Sequence, residues 1–171
     1  FNEGVWKNNR TGIRTKSITG NYYCHDMSLG FPATTTKRLA FKTMAIELEG
    51  FLKGITSKNW YSSRGCQIWN QWCSPKKVPY GNDEETKLKM YNEDDLGPIY
   101  GYQWRCFNGT YDGPYDGKKS LPIDGVDQLK NIIDTLKKDP SNRRLIVNSW
   151  NPCQIGQMAL PPCHYAFQFL S

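Results

Sequence analysis

Cys163 lies in a segment that could present a reactive thiol. It follows two consecutive prolines, Pro161 and Pro162, which fix the backbone and remove two N–H donors. A free cysteine is more often a small buried hydrophobic residue, and neighbouring arginines would be needed to favour the thiolate. His164 comes next, but adjacent side chains of a strand point to opposite faces, so we do not predict a Cys–His dyad.

The other cysteines lack this proline frame, and we interpret Cys106 and Cys153 as structural thiols. The sequence has six cysteines, no C-x-x-C pair and two histidines, which disfavours a metal site. A chain of this size with six tryptophans does not need disulfides for stability. We therefore expect reduced thiols in a reducing compartment such as the cytoplasm.

Glu47 interrupts an apolar line on a predicted helix. The line consists of Ala40, Met44, Glu47 and Phe51, at spacings of four, three and four residues. A buried carboxylate must be paired or protonated, and such a group can be poised for proton transfer near neutral pH. The alternative is a glutamate at the edge of the face that reaches water or a lysine.

Two consecutive arginines open a predicted strand. Arg143 and Arg144 follow a Pro-Ser-Asn turn, and guanidinium groups bind phosphate oxygens in a bidentate manner. Since neighbouring side chains on a strand face apart, either the turn brings both to one anion or one arginine reaches out of the protomer. The alternative is a solvated basic turn.

Aromatic residues are concentrated in two short motifs. They are Trp69 and Trp72 in the first, and Tyr100 and Trp104 in the second. Their rings could belong to the core or stack on a planar ligand. Gly97 and Gly101 flank Tyr100, which indicates a backbone held tightly against another segment.

The composition limits the class of protein. With 171 residues, of which 13% are aromatic and 22% charged, the chain is too aromatic to be disordered. Its mean hydropathy is −0.67 and no apolar run approaches the roughly 18 residues of a membrane helix, so we exclude a membrane-spanning protein. The net charge of +6 favours anionic partners such as nucleotides, nucleic acid or polyacidic cofactors.

Hydrophobic spacing predicts two helices. The first covers about residues 36–53 and ends at Gly54, with an apolar face of Phe41, Met44, Ala45, Leu48 and Leu52. The second is capped by Asp124 and ended by Pro140, and carries lysines in its last turn. Its apolar face consists of Val126, Leu129, Ile132, Ile133 and Leu136.

Three strands are predicted, over residues 18–23, 144–150 and 164–170. Residues 74–95 and 108–123 are predicted as loops, the first with room for one helical turn. Strands and helices are mixed without regular βαβ alternation, so the predicted fold class is α+β.

Six collinear segments resemble the thymidylate synthase family. Leu96–Arg105 is similar to that family's LGPVYGxQWR segment, and Met158–His164 to its nucleophile segment. The others are Arg10–Gly12, Gly30–Arg38, Glu47–Gly54, and Gly125–Leu129 with Asn142–Pro152.

The resemblance implies a thymidylate synthase-like α+β fold, with a large twisted mixed sheet, flanking helices and a sheet face that forms a two-fold dimer interface. It implies methylation of dUMP to dTMP, with 5,10-methylenetetrahydrofolate as carbon donor and reductant and with no metal. Cys163 would add to C6 of the pyrimidine, Glu47 would organise waters for proton transfer, and Tyr100 would assist proton removal from C5.

The resemblance also implies binding residues. Arg10 would bind the nucleotide phosphate in its own protomer, while Arg143 and Arg144 would reach the phosphate in the partner of a homodimer. The folate side would be formed by Ile68, Trp69, Trp72, Leu160 and Lys37.

The chain departs from the family pattern in places. Asn70 stands where the family usually has Asp, and Glu49–Gly50 replaces a Leu-Trp pair, where the glycine alone weakens a helix by about 1 kcal/mol. The family's Gln-Arg-Ser-x-Asp segment would lie beyond Ser171, so residues 1–171 are expected to form a single, incomplete catalytic domain. Alone, that domain is expected to be inactive unless a C-terminal polypeptide completes it.

Three alternatives remain. A deoxypyrimidine nucleotide hydroxymethylase has the same fold but lets water, rather than hydride, quench the methylene intermediate, and the residue that selects uracil over cytosine would lie beyond Ser171. A fragment that serves only in assembly is the second. A nucleic-acid-binding module is supported only by basic charge and aromatic content, since no basic stripe is present.

Overall fold

The computed structural model describes residues 3–9 and 12–170, in two compact units that divide after Leu39. The first unit contains an antiparallel pair, β1 (Val5–Lys7) and β2 (Thr15–Ser17), with Trp6 opposite Lys16. A short 3₁₀ turn, Met27–Leu29, begins where the Asp26 carboxylate accepts the Ser28 N–H.

The strand predicted over residues 18–23 is wrong. No strand is formed there, and the nearest one, β2, ends at Ser17. Tyr22 and Tyr23 are 85% and 74% exposed, and the Tyr23 ring stacks only on the nearby His25 within the described residues. Strand propensity reflects packing on neighbours, and aromatic content alone does not supply it.

The second unit begins at Ala40 and holds the rest of the chain. Its helices are α1 (Phe41–Lys53), α2 (Lys58–Ser62), α3 (Glu84–Asn92), α4 (Tyr100–Arg105) and α5 (Gln128–Lys138). Its strands are β3 (Ile146–Asn148) and β4 (Ala166–Gln168), and a 3₁₀ turn covers Ile155–Gln157.

Helix α1 ends where predicted but starts later and faces another way. Gly54 ends it in the left-handed conformation. The predicted apolar face is wrong, because Leu48 and Leu52 are 49% and 46% exposed while Gly50 and Phe51 are buried. A Cβ at Gly50 would overlap the ring of Tyr61, so the glycine lets this side of the helix approach its neighbour closely.

Helix α5 is shorter than predicted, and Asp124 is not its cap. Asp127 caps it, accepting the N–H of Lys130 at 2.9 Å. The Asp124 carboxylate instead accepts the N–H and hydroxyl of Thr110, which closes the loop before the helix. The face is only partly as predicted, since Ile132 is buried but Ile133 is 52% exposed.

Helix α3 lies where a mainly irregular loop was predicted. Asp83 caps it by accepting the Thr86 N–H at 2.8 Å. Lysines pair with Glu84 and Glu85 along its exposed side, and only Met90 is buried. A helix held by local polar pairs has little apolar periodicity, so hydrophobic spacing did not indicate it.

The two C-terminal strands form where predicted, at shorter length. β3 and β4 pair antiparallel, with Val147 opposite Phe167. The α+β class is confirmed, but the described residues form two-stranded sheets rather than the large mixed sheet that the resemblance implies, because β3 and β4 take ladder partners only from each other. Residues 108–123 contain no helix or strand, as predicted.

Helix α4 is fixed to the segment that leads to Cys163. The indole of Trp104 donates to the Ser149 hydroxyl at 2.7 Å. The Gln103 amide, fully buried, donates to the Gln154 side chain at 2.8 Å and accepts from Asn151. Buried amides are costly unless paired, so this network holds α4 and residues 149–158 in one arrangement.

Candidate active site

Phe51 lies at the centre of an aromatic cluster formed by α1, α2, α4 and the segments after α2 and before β4. Its ring stacks on Tyr100 with a centroid separation of 4.9 Å. Edge contacts reach Tyr61, Trp69 and Trp104, and His164 lies at 6.1 Å. Stacked and edge-on rings pack with defined orientations, so this cluster holds the side chains of the candidate site in fixed positions.

Tyr100 begins α4, and two glycines fix the backbone around it. A Cβ at Gly97 would overlap the carbonyl oxygen of Gln157, and one at Gly101 would overlap the backbone of Phe51. The predicted tight backbone contacts on both sides of Tyr100 are therefore confirmed. They bring α1, α4 and the segment before Cys163 within van der Waals distance of one another.

The Tyr100 hydroxyl meets the candidate nucleophile directly. Its oxygen accepts the backbone N–H of Cys163 at 2.7 Å. Burial raises the pKa of Tyr100 to about 12, so the phenol is neutral at pH 7 and keeps a proton to donate. The hydroxyl thus joins α4 to the Cys163 backbone and retains one O–H for a further partner.

Cys163 is exposed, and the segment that precedes it is held against the rest of the second unit. The Ala159 N–H donates to the Leu96 carbonyl at 2.8 Å, and Pro162 is buried. The His164 ring stacks on Tyr100 with centroids 4.3 Å apart, and its burial there lowers the pKa of His164. The imidazole therefore supports the Tyr100 ring.

Glu47 lies half-buried on α1, beside the same rings. Its Oε1 accepts the indole N–H of Trp69 at 3.0 Å, so the carboxylate is joined to the aromatic cluster. Burial raises the pKa of the Glu47 carboxyl, and the bond from Trp69 partly opposes that shift. A carboxyl of raised pKa can hold and release a proton near neutral pH.

The predicted folate-side residues differ in exposure. Trp69 is only 4% exposed and belongs to the core cluster, whereas Ile68 is 51% exposed. Leu160 is half-buried against the same core. Trp72 is half-buried, stacks on Tyr80 at 6.4 Å and lines a cavity of about 480 Å³. These four residues, Ile68, Trp69, Trp72 and Leu160, form the candidate folate wall, which has one buried ring, Trp69, and three side chains with accessible apolar surface.

Among the described residues, Arg143 and Arg144 make no hydrogen bond or ion pair with this cluster. Arg143 and Arg144 are exposed just before β3, and within the described residues neither guanidinium has an acidic partner. Their backbones are held, since the Arg143 carbonyl accepts from Gln168 and the Arg144 N–H donates to Asn142. Lys37 is exposed in the first unit, and Arg10 lies outside the described residues.

The interpretation of Cys106 and Cys153 as structural thiols fits the burial of the first but not the exposure of the second. Cys106 is buried and donates to the Pro122 carbonyl, which fits a structural thiol. Cys153 is exposed, so packing does not explain it. The described residues contain no group of three metal-ligating side chains, and none of the helices formed by residues 3–9 and 12–170 is long and apolar enough to cross a membrane.

Sequence reasoning missed the role of two rings. Phe51 was noted only as a member of the Glu47 line, and His164 only as a neighbour of Cys163. Both stack on Tyr100, which lies 49 and 64 residues away in sequence. No local pattern encodes such contacts, because they depend on how α1, α4 and the last segment meet.

A comparison with known protein families agrees with this arrangement. The family model described as thymidylate synthase matches residues 1–171, the whole of the chain. The match includes every segment that forms the cluster of Glu47, Trp69, Tyr100 and Cys163. On this evidence the chain belongs to the thymidylate synthase family, a family of methyltransferases.

Proposed function

We propose that this protein converts dUMP to dTMP, with 5,10-methylenetetrahydrofolate as co-substrate. The observation that carries the proposal is the 2.7 Å hydrogen bond from the Cys163 N–H to the Tyr100 hydroxyl, in a chain of the thymidylate synthase family. It joins a candidate nucleophile to a neutral proton-transfer group. Glu47, with its raised pKa, lies against the same rings.

In the proposed reaction the Cys163 thiolate forms a bond to C6 of the uracil ring, and the C5–C6 π electrons move toward the C4 carbonyl. C5 then forms a carbon–carbon bond to the folate's methylene carbon as the bond between that carbon and N10 breaks, and N10 takes up a proton. Loss of the C5 proton and departure of N5, the second folate nitrogen, then give an exocyclic methylene. Hydride from the tetrahydrofolate reduces it as the Cys163–C6 bond breaks, which yields dTMP and dihydrofolate and restores the thiolate.

Tyr100 and Glu47 would handle protons in different ways. Because the pKa of Tyr100 is raised to about 12, a free phenolate is not available as a base at pH 7. The hydroxyl would instead orient a water that receives the C5 proton. Glu47 would hold the waters near the C4 carbonyl, since its raised pKa favours proton exchange near neutral pH.

The charged residues outside the cluster would bind the phosphate. We infer that Arg10 serves the site of its own protomer and that Arg143 and Arg144 serve the site of the partner in a two-fold homodimer. The exposure of Arg143 and Arg144, and their lack of acidic partners among the described residues, support a role toward another molecule. The large mixed sheet of the family, and a dimer interface on its face, belong to the same proposal.

The folate would lie along Ile68, Trp69, Trp72 and Leu160, and Lys37 stays a predicted folate-binding residue. The exposed part of Ile68 and the half-buried side chains of Trp72 and Leu160 supply apolar surface. A cytoplasmic location would fit six free thiols.

Product analysis tests the reaction. The full natural protein is incubated with dUMP and 5,10-methylenetetrahydrofolate, and we expect dTMP together with an equal amount of dihydrofolate, measured by its absorbance. A hydroxymethyl product with unoxidised tetrahydrofolate would show the hydroxymethylase reaction instead. Turnover of neither uracil nor cytosine nucleotides would contradict the proposal.

Mixing two inactive variants tests the crossed arginines. A Cys163→Ser protein is combined with an Arg143→Ala protein under conditions that exchange subunits. If Arg143 serves the partner, each hybrid dimer has one intact site, and activity should recover to about a quarter of the wild-type level in a random mixture.

A Cys163→Ser protein mixed with Glu47→Gln gives the matched control, because both defects then lie in the protomer's own site. The two mixtures should differ only if Arg143 acts across the interface. Equal recovery in both, or none with Arg143→Ala when hybrids are shown to form, would place that arginine in its own protomer.

A further inference from the structure

Lys58 is a charged residue inside the second unit. It begins α2 and is only 3% exposed, although lysines are almost never fully buried unless paired. Its Nζ donates to three backbone carbonyl oxygens, those of Met90 at 2.7 Å, Asn70 at 3.2 Å and Trp72 at 3.3 Å. An ammonium group has three N–H donors, so these acceptors use its full capacity.

These carbonyls belong to two separate segments. Met90 is in the last turn of α3, where carbonyl groups lack intrahelical donors and a cation is favoured. Asn70 and Trp72 belong to the turn that carries the two tryptophans of the candidate folate wall. Lys58 therefore joins α2, that turn and α3 through one side chain, and its Nζ also lies 5.9 Å from the Tyr91 ring.

The three carbonyl oxygens around Nζ match the three N–H donors of an ammonium group. Burial lowers the pKa of Lys58, the charges of Asp94 and Glu93 partly oppose that shift, and within the described residues no carboxylate forms an ion pair with Nζ. Asp94 is itself engaged, accepting from the Ser57 hydroxyl and the Asn59 N–H. The carbonyls are thus the specific partners of Nζ, and a side chain without donors would leave them unpaired.

We propose that Lys58 is a positioning residue for the folate wall, which fixes the backbone at Asn70 and Trp72 and so the planes of the Trp69 and Trp72 rings. The inference rests on the proposed function, because it takes that wall to bind a flat ligand. Trp69 has a second anchor in Glu47, whereas Trp72 has the stack on Tyr80, which is 56% exposed.

The test compares Lys58→Met with Lys76→Met in the full natural protein. Methionine keeps the length and apolar stem but has no N–H donor, and Lys76 is an exposed lysine in the segment that follows Trp72. We expect Lys58→Met to raise KM for 5,10-methylenetetrahydrofolate by roughly 10- to 100-fold, since small misplacements of a binding group have effects of this size. The kcat and the Kd for dUMP should change by less than about twofold, and Lys76→Met should match wild type.

A structural role alone would lower thermal stability without this selective loss of folate affinity. Equal effects on KM for folate and Kd for dUMP, or an unchanged KM for folate, would overturn the inference.

Hydrogen exchange separates failure of this inference from failure of the proposed function. In Lys58→Met, amides of residues 70–74 and 91–94 should exchange faster than in Lys76→Met, whether or not the protein turns over folate. Normal exchange there would contradict the positioning role directly. If Lys58→Met does not fold, KM for folate and hydrogen exchange are measured on Lys58→Gln, which keeps two N–H donors. Wild-type values in that variant would also overturn the inference.

Discussion

Replacing Cys163 by serine should abolish dTMP formation. A serine hydroxyl is far less acidic than a thiol and cannot supply the anion that adds to C6, so we expect turnover to fall by about 10⁴-fold or more. The fold should persist, because Cys163 is exposed and its backbone N–H, which binds Tyr100, is unaffected. Turnover is measured by dihydrofolate formation, and nucleotide binding by calorimetry.

Cys153→Ser is the matched control for this experiment. Cys153 is also an exposed free thiol, but among the described residues it makes no hydrogen bond to Tyr100 or to the ring cluster. We expect its activity to stay within about twofold of wild type, as for surface substitutions generally. Cys106→Ser extends the comparison to a buried thiol. A similar loss of turnover in all three variants would refute the assignment of Cys163 as nucleophile.

Replacing Gly101 by alanine should destabilise the protein by about 3 kcal/mol or more. Alanine improves helix propensity by about 1 kcal/mol, which alone would stabilise α4. The new Cβ, however, would overlap the Phe51 backbone, and a backbone cannot rotate away as a side chain can. The clash outweighs the propensity, and we expect the melting temperature to fall by about 6–12 °C.

The same substitution should also reduce activity, because it separates α1 from α4. Glu47 and Phe51 lie on α1 while Tyr100 lies on α4, and the Phe51–Tyr100 stack at 4.9 Å depends on their close approach. Gly156→Ala is the control, since a Cβ there meets nothing within 4 Å. If the free energies of unfolding of both variants are within about 0.5 kcal/mol of the wild-type value, the tight contact at Gly101 is not what holds the two helices together.

Predictions from local patterns succeeded where one segment contains its own signal. Gly54 ends α1 as predicted because a left-handed residue can close a helix by itself. Lysines in the last turn of α5 and the β3 and β4 strands were also predicted correctly. The Asp124 cap was wrong because Asp127, three residues later, offers the same chemistry, and the loop at Thr110 takes the first carboxylate.

The face of α1 shows what local patterns could not decide. Its apolar residues lie on both sides, and hydrophobic spacing selected the side with Leu48 and Leu52. Packing selected the other, because Gly50 and Gly101 remove the side chains that would keep Tyr61 and α4 at a distance. Whether a helix buries a stripe of leucines or a close glycine contact depends on the partner surface, which the helix sequence does not contain.

Sequence motifs are sufficient to identify the family and to nominate Cys163, Tyr100 and Glu47 as chemical groups. Their partners follow only from the fold: the Cys163 N–H donates to the Tyr100 hydroxyl, His164 stacks on Tyr100, and the Trp69 indole donates to Glu47. The same holds for Lys58, which has no motif in the sequence. The physical reason is that such contacts join segments tens of residues apart, and their distances are set by packing in the core.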